Sequence, residues 1–300
     1  MDVVTGAFSY TGRYIASRLL ELGREVRTLT RHPQSASPFG ERVRALPLQF
    51  DVDALTGSLE GVDTLYNTYW IRFPRGALTF ERAVENIEVL LRAARAAGVR
   101  RVVYLSVSNA STSSPLPYFR GKGLAEEAHV ESELSYGIVR PTVVFGREDV
   151  LINNIAWILR KLPLFVIPGS GDYALQPVAV EDVADLTVRV GQANDRQVID
   201  AVGPDVFSYN ALVRLIRDSI GSPARIVHAS PVIATALGGL LGAALRDTLI
   251  TRDEIAALTA GLLATESAPT GTRRLADWLA ANTASVGASY TSEMRRNWAG

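Results

Sequence analysis

The chain of 300 residues contains no cysteine. That excludes disulfide staples, thiolate nucleophiles and cysteine-ligated metals, and it fits a reducing compartment, with the cytoplasm as the expectation. Histidine is scarce too: His32, His129 and His228 lie far apart without metal-ligand spacing, so no metal is expected. Excess charge of either sign is missing, because 31 Lys and Arg offset 31 Asp and Glu. No global field therefore favours nucleic acid or an anionic membrane. The most apolar stretch, residues 232–245, ends at Arg246 and is too short to span a bilayer. It reads as a buried or interface helix, with peripheral membrane contact as the lesser alternative. The chain opens directly on an apolar strand, which is read as leaving no room for a signal peptide. Internal repeats and low-complexity linkers are absent.

What is present is apolar sequence in quantity, 47% of residues, enough to build a large core without staples. In the first half, strand and helix patterns alternate. Strands are expected near residues 25–29, 43–50, 63–69, 101–106 and 136–139, with helices over 80–97 and 121–133. Alternation of this kind predicts an α/β fold, a doubly wound parallel sheet of Rossmann type. From about residue 147 the pattern loosens, and the last seventy residues look helical, so a smaller, mainly helical C-terminal substrate lobe is expected. The expected division is 1–146 for the dinucleotide-binding domain, with 176–200 packing back onto it, and 147–175 with 201–300 for the lobe. The helix over 80–97 and the apolar stretch 232–245 are candidate homodimer surfaces.

The most informative motif is Val3-Val4-Thr5-Gly6-Ala7-Phe8-Ser9-Tyr10-Thr11-Gly12-Arg13. Two apolar residues lead into Gly6, Gly12 follows six positions on, and Ile15, Ala16, Leu19 and Leu20 continue at helical spacing. A strand that turns sharply into a helix presents unpaired amides and a partial positive charge to an anion. Glycines let the backbone turn tightly and approach a pyrophosphate. A dinucleotide is therefore expected here, although Ser9 stands where a G-x-x-G-x-x-G loop has its middle glycine. Serine is small enough to admit a phosphate and can add a hydroxyl hydrogen bond.

A second motif, Tyr118-Phe-Arg-Gly-Lys122, places a phenol and an ammonium one helical turn apart on the same face. A cation beside a phenol favours the phenolate and tunes it for proton transfer. Ser106, at the end of the fifth strand, and Ser108, just beyond it, compete as the third member of a catalytic set. The serine-rich stretch 108–114 reads otherwise as a polar connection.

With Asp51 after the third strand, Val139-Arg140-Pro141-Thr-Val-Val-Phe-Gly146 and Gln176-Pro-Val-Ala-Val-Glu-Asp182, these motifs resemble the short-chain dehydrogenase/reductase superfamily. The likeness is to its extended and atypical branches, the NAD(P)-dependent epimerase/dehydratase and NmrA-like proteins. It covers roughly residues 1–230. The resemblance implies Tyr118 as general acid/base, Lys122 as the residue that lowers its pKa and binds the nicotinamide ribose, and Asp51 with Val52 around the adenine. Gly6, Phe8, Ser9, Tyr10, Thr11, Gly12, Arg13 and Pro141 are the remaining expected cofactor contacts. The departures are Ser9 and the short interval of eleven residues between Ser106 and Tyr118.

The end of the second strand reads Arg27-Thr28-Leu29-Thr30-Arg31-His32, with no acid to accept from a ribose 2′-hydroxyl. Arg31 and Thr30, with Arg13, suit the 2′-phosphate of NADP, and NAD is the alternative. The competing reading of Arg31 is a solvated arginine beside a turn. Trp70, Phe145, Asn153 and Trp157 are candidate substrate contacts. The function expected is an oxidoreductase that moves a hydride between NADP(H) and a carbonyl or alcohol of a small or medium organic substrate. The alternatives are a redox-neutral epimerase, dehydratase or isomerase, and a non-catalytic dinucleotide sensor.

Overall fold

The computed structural model describes residues 1–292 and 294. In chain order the first elements are β1 (Asp2–Thr5), α1 (Tyr10–Glu21), β2 (Val26–Thr30), β3 (Val43–Pro47), α2 (Val52–Leu59) and β4 (Thr64–Asn67). They continue with α3 (Phe80–Ala96), β5 (Arg101–Leu105), α4 (Pro117–Glu131) and β6 (Ser135–Pro141). Next come β7 (Val143–Phe145), α5 (Leu151–Lys161), β8 (Leu164–Pro168), β9 (Ala174–Leu175), β10 (Pro177–Ala179), α6 (Val180–Gln192) and β11 (Gln197–Ala201). The last are β12 (Phe207–Ser208), α7 (Tyr209–Ser219), β13 (Arg225–Ala229), α8 (Pro231–Leu245), α9 (Arg252–Thr259) and α10 (Leu275–Ala281). Among the described residues, no helix is long and apolar enough to cross a membrane.

Seven strands form one parallel sheet in the order β11-β6-β5-β4-β1-β2-β3. The strand order reverses between β1 and β4, which makes the crevice beyond their carboxyl ends the place where such sheets take ligands. The central strands β1, β4 and β5 are buried along nearly their whole length, as strands covered on both faces are, while the outer strands β3 and β11 are partly exposed. Val3, Leu29, Leu65, Val102 and Ile138 from the strands pack with Leu55 and Leu59 of α2 and Ile87, Leu90, Leu91 and Ala94 of α3.

Helix α4 starts at Pro117, four positions ahead of the expected start at 121. Proline at the first helical position brings a preset φ and lacks only an amide that would be orphaned anyway. The earlier start puts Tyr118 inside the helix. Arg101, wholly buried, donates to the carbonyls of Val190 (2.8 Å) and Asp195 (2.9 Å) and to Ser135 Oγ (2.7 Å). Those acceptors let a cation sit in the core and tie the end of α6 to the sheet.

The chain divides into two compact units, residues 1–141 with 181–201 and residues 142–180 with 202–300. The second unit holds its own core of Phe145, Ile152, Leu159, Phe165, Leu212, Ile216 and Leu279. Three two-stranded pairs, β7 with β10, β9 with β12 and β8 with β13, accompany its helices α5, α7, α8, α9 and α10.

Candidate functional site

The β1–α1 connection has the geometry of an anion cradle. Gly6 has φ +69° and its amide donates to Leu29 O at 2.9 Å. Gly12 packs so tightly on this turn that a Cβ there would sit 2.3 Å from Gly6 O. Only glycine fits, which explains the second glycine of the motif. Ser9 occupies the N-cap of α1 without capping it; its hydroxyl donates to Gly6 O at 2.7 Å and closes the turn from inside. The first turn of α1 carries no acidic residue, so the positive end of the helix is not offset there. Ala7 N is held by Thr28 Oγ1 at 3.0 Å, and Arg13 Nη2 reaches Phe8 O at 3.3 Å. Tyr10 and Thr11 follow in the first turn of α1, with the Tyr10 ring edge-on to Tyr14.

At the end of β2, Arg31, His32, Pro33, Gln34 and Ser35 line a cleft of about 360 Å³. Thr30 Oγ1 accepts from His32 N at 3.2 Å and shapes that turn. Asp51 is the N-cap of α2, its Oδ1 accepting from Ala54 N at 2.9 Å, and Val52 is the first helical residue. The Asp51 carboxylate thus has a capping role of its own. Pro141 ends β6 and its carbonyl accepts from Ser108 N at 2.9 Å.

The catalytic candidates converge on α4 and the end of β5. Lys122 is 3% exposed; its Nζ donates to Leu105 O at 2.8 Å and lies 4.8 Å from the ring centres of both Trp70 and Tyr104. Burial pulls its pKa from the ordinary 10.5 down to about 7, against an opposing pull from the Glu126 carboxylate one turn on. Glu126 is itself held by a two-pronged ion pair with Arg140 of β6. Tyr118, one turn before Lys122, is half-buried with its ring edge-on to Trp70, Phe80 and Phe119. Trp70 Nε1, Tyr104 Oη and Ser106 Oγ are buried and have no hydrogen-bond partner among the described residues. Ser106 is therefore a buried hydroxyl on the residue after the carbonyl that holds Lys122, whereas Ser108 is completely buried two residues further on.

Behind Lys122, His129 stacks on Tyr104 with ring centres 4.3 Å apart. Its Nδ1 lies 2.7 Å from Ala125 O and must donate there, so Nε2 is bare and faces Asn67 Nδ2 at 3.4 Å. Burial holds its pKa at about 4, so this ring is neutral at physiological pH. The serine-rich loop packs firmly on α4, because a Cβ at Gly123 would lie 2.5 Å from the backbone of Ser111 and Thr112. Tyr104, His129, Glu126 and Arg140 were not among the expected site residues. Their only sequence signal is position, Tyr104 in the strand before α4 and the others one and two turns after Lys122 or on the next strand.

The substrate candidates separate. Trp70 belongs to the Lys122 surroundings. Phe145 is wholly buried in the core of the second unit, edge-on to Trp278. The Asn153 amide donates to Gly146 O, Arg147 O and Asp149 Oδ2, and its Oδ1 accepts from Gly287 N. Asn154 is bonded both ways to the backbone of Thr291, and Trp157 is edge-on to Tyr290. Asn153 and Asn154 thus brace loops of the second unit.

A tight glycine turn at the positive end of a helix, opening at the strand-order reversal, is the chemistry a dinucleotide pyrophosphate requires. Residues 6–153 match the family described as NAD(P)H-binding. Those residues carry an NAD(P)H-binding Rossmann domain of that family. The chain is similar to subunit 9 of the mitochondrial NADH dehydrogenase [ubiquinone] 1 alpha subcomplex of Arabidopsis thaliana, with 27% identity over 290 residues. That match takes in 88% of this chain and 71% of the relative. The fold is that of the triphenylmethane reductase of Citrobacter sp., with a TM-score of 0.78 and 16% identity over 94% of this chain and 99% of that one. It is equally that of an NADPH-dependent quinone oxidoreductase from Escherichia coli complexed with NADPH, with a TM-score of 0.77 and 21% identity over 94% and 99%.

Proposed function

We propose that the chain is an NADPH-dependent reductase acting on the carbonyl of a small or medium organic substrate, quinones included. The observation that carries this reading is the group on α4 and β5. Buried Lys122, one turn from Tyr118, is pinned to Leu105 O, and the next residue in the chain after Leu105, Ser106, has a buried hydroxyl with no partner among the described residues. The loop from Gly6 to Arg13 and the amides at the start of α1 would hold the pyrophosphate, and Arg31 with Thr30 the 2′-phosphate. Bound NADPH supplies the hydride. Ser106 donates a hydrogen bond to the substrate oxygen and fixes its position. Tyr118 gives that oxygen its proton, and Lys122 biases the phenol toward releasing it. The lysine's pKa near 7 lets its charge respond to the ligand within the physiological range. Trp70 and Tyr104 hold the ammonium in place and exclude water from it.

The test is NADPH oxidation against a panel of quinones and aldehydes. Turnover that collapses in Tyr118→Phe while NADPH still binds supports the reading; turnover unchanged in that variant refutes the role of Tyr118. The likeness to a protein named as a subunit of a larger assembly favours a second reading, a dinucleotide-binding protein without turnover. That reading predicts NADPH binding with no substrate-dependent consumption.

A further inference from the structure

Helix α8 carries no charged residue, and its one polar side chain, Thr235, turns its hydroxyl back to Pro231 O at 2.7 Å. Yet much of its length faces outward. Val232 is 74% exposed and Leu240 is 70% exposed, with Ile233 and Leu237 exposed beside them. The strands against which α8 packs continue the pattern, with Leu164 on β8 and Val227 on β13 exposed as well, and Leu162 just ahead of β8. Large side chains exposed together in this way mark an interaction surface, since monomers seldom present such patches.

Charge identifies the partner. Residues 160–171 and 219–246, which contain this surface, hold no acidic residue. Their formal charges are Arg160, Lys161, Arg225 and Arg246, all positive, in a chain whose net charge is zero. Arg225 is the register partner of Leu164, so cation and exposed leucine sit side by side. Among the described residues, Lys161, Arg225 and Arg246 are joined to no carboxylate. A two-fold contact with a second copy would bring this cationic set against itself. An anionic lipid surface, by contrast, neutralises the arginines and lysine while taking up the leucines. At about 22 Å, α8 is too short to cross the hydrocarbon and is long enough to lie along it.

We infer that the second unit rests on an anionic membrane surface through α8 and the exposed sides of β8 and β13. This goes beyond the reductase reading and does not depend on it.

The experiment is flotation of the full chain with vesicles of phosphatidylcholine alone and with phosphatidylglycerol added in equal part. The chain floats with the anionic vesicles, less with the neutral ones, and high salt releases it. Leu240→Glu or Val232→Glu, each at an exposed position that leaves the core intact, abolishes flotation while the far-ultraviolet circular dichroism stays unchanged. Lys161→Glu combined with Arg225→Glu weakens binding roughly tenfold or more, from about 1 kcal/mol per basic residue near the surface. Failure to float with anionic vesicles overturns the inference, and so does equal flotation with both kinds. A dimer in sedimentation that Leu240→Glu dissociates, with no vesicle binding, assigns the face to a second copy instead. No outcome requires turnover, so failure of the reductase reading leaves this test intact.

Discussion

Replacing Lys122 by methionine isolates the electrostatic claim at the centre of the site. Methionine keeps a long unbranched stem in a position that is 3% exposed, so the packing change is small. Burial lowers the Lys122 pKa from 10.5 to about 7. Between those values the unfolded chain binds a proton that the folded chain refuses. The group therefore costs stability in full below about pH 7, and the cost fades as pH rises toward 10.5. At 1.36 kcal/mol per unit, wild type should gain on the order of 3 kcal/mol relative to Lys122→Met between pH 7 and pH 9.5. Urea unfolding of both proteins at the two pH values measures this directly, because every other titrating group cancels in the comparison. Parallel pH profiles would show that Lys122 titrates as an ordinary surface lysine and would refute the account of its surroundings.

Tyr118→Phe should lower turnover by roughly a hundredfold or more while NADPH affinity is kept, as read by steady-state kinetics beside a fluorescence titration. Arg31→Ala should weaken NADPH binding by roughly tenfold to a hundredfold, the worth of a charge-assisted hydrogen bond, and leave NADH nearly unchanged. Equal losses for the two would remove Arg31 from the 2′-phosphate. Gly12→Ala forces a Cβ to within 2.3 Å of Gly6 O, so it should destabilise the fold by about 1–3 kcal/mol and abolish NADPH binding. Denaturant midpoints and the same titration check both effects.

The parts of this protein that are local in sequence are the parts that can be read from it. The glycine spacing at Gly6 and Gly12, with helical periodicity after it, specifies a turn and its ligand class because both depend on a dozen adjacent residues. Tyr118 and Lys122 are legible for the same reason, since one helical turn brings them together. The surroundings of Lys122 are not: Trp70 follows β4, Tyr104 lies on β5, and only the parallel pairing of those strands carries both rings to α4. The choice between Ser106 and Ser108 also needs coordinates, because the difference lies in what surrounds each hydroxyl. Asn153 looks like a ligand contact in the sequence. The residues that engage its amide, Gly146, Asp149 and Gly287, meet it only in the folded second unit. Asp51 carries a second signal in the sequence, since an aspartate after a strand also serves as the N-cap of the helix that follows, as Asp51 does for α2.

The most direct test of the central claim, a dinucleotide site selective for the 2′-phosphate, is a calorimetric titration of the purified chain with NADPH and then with NADH. One site per chain is expected, with NADPH bound at least roughly tenfold more tightly than NADH. Binding of neither, or tighter binding of NADH, would contradict it.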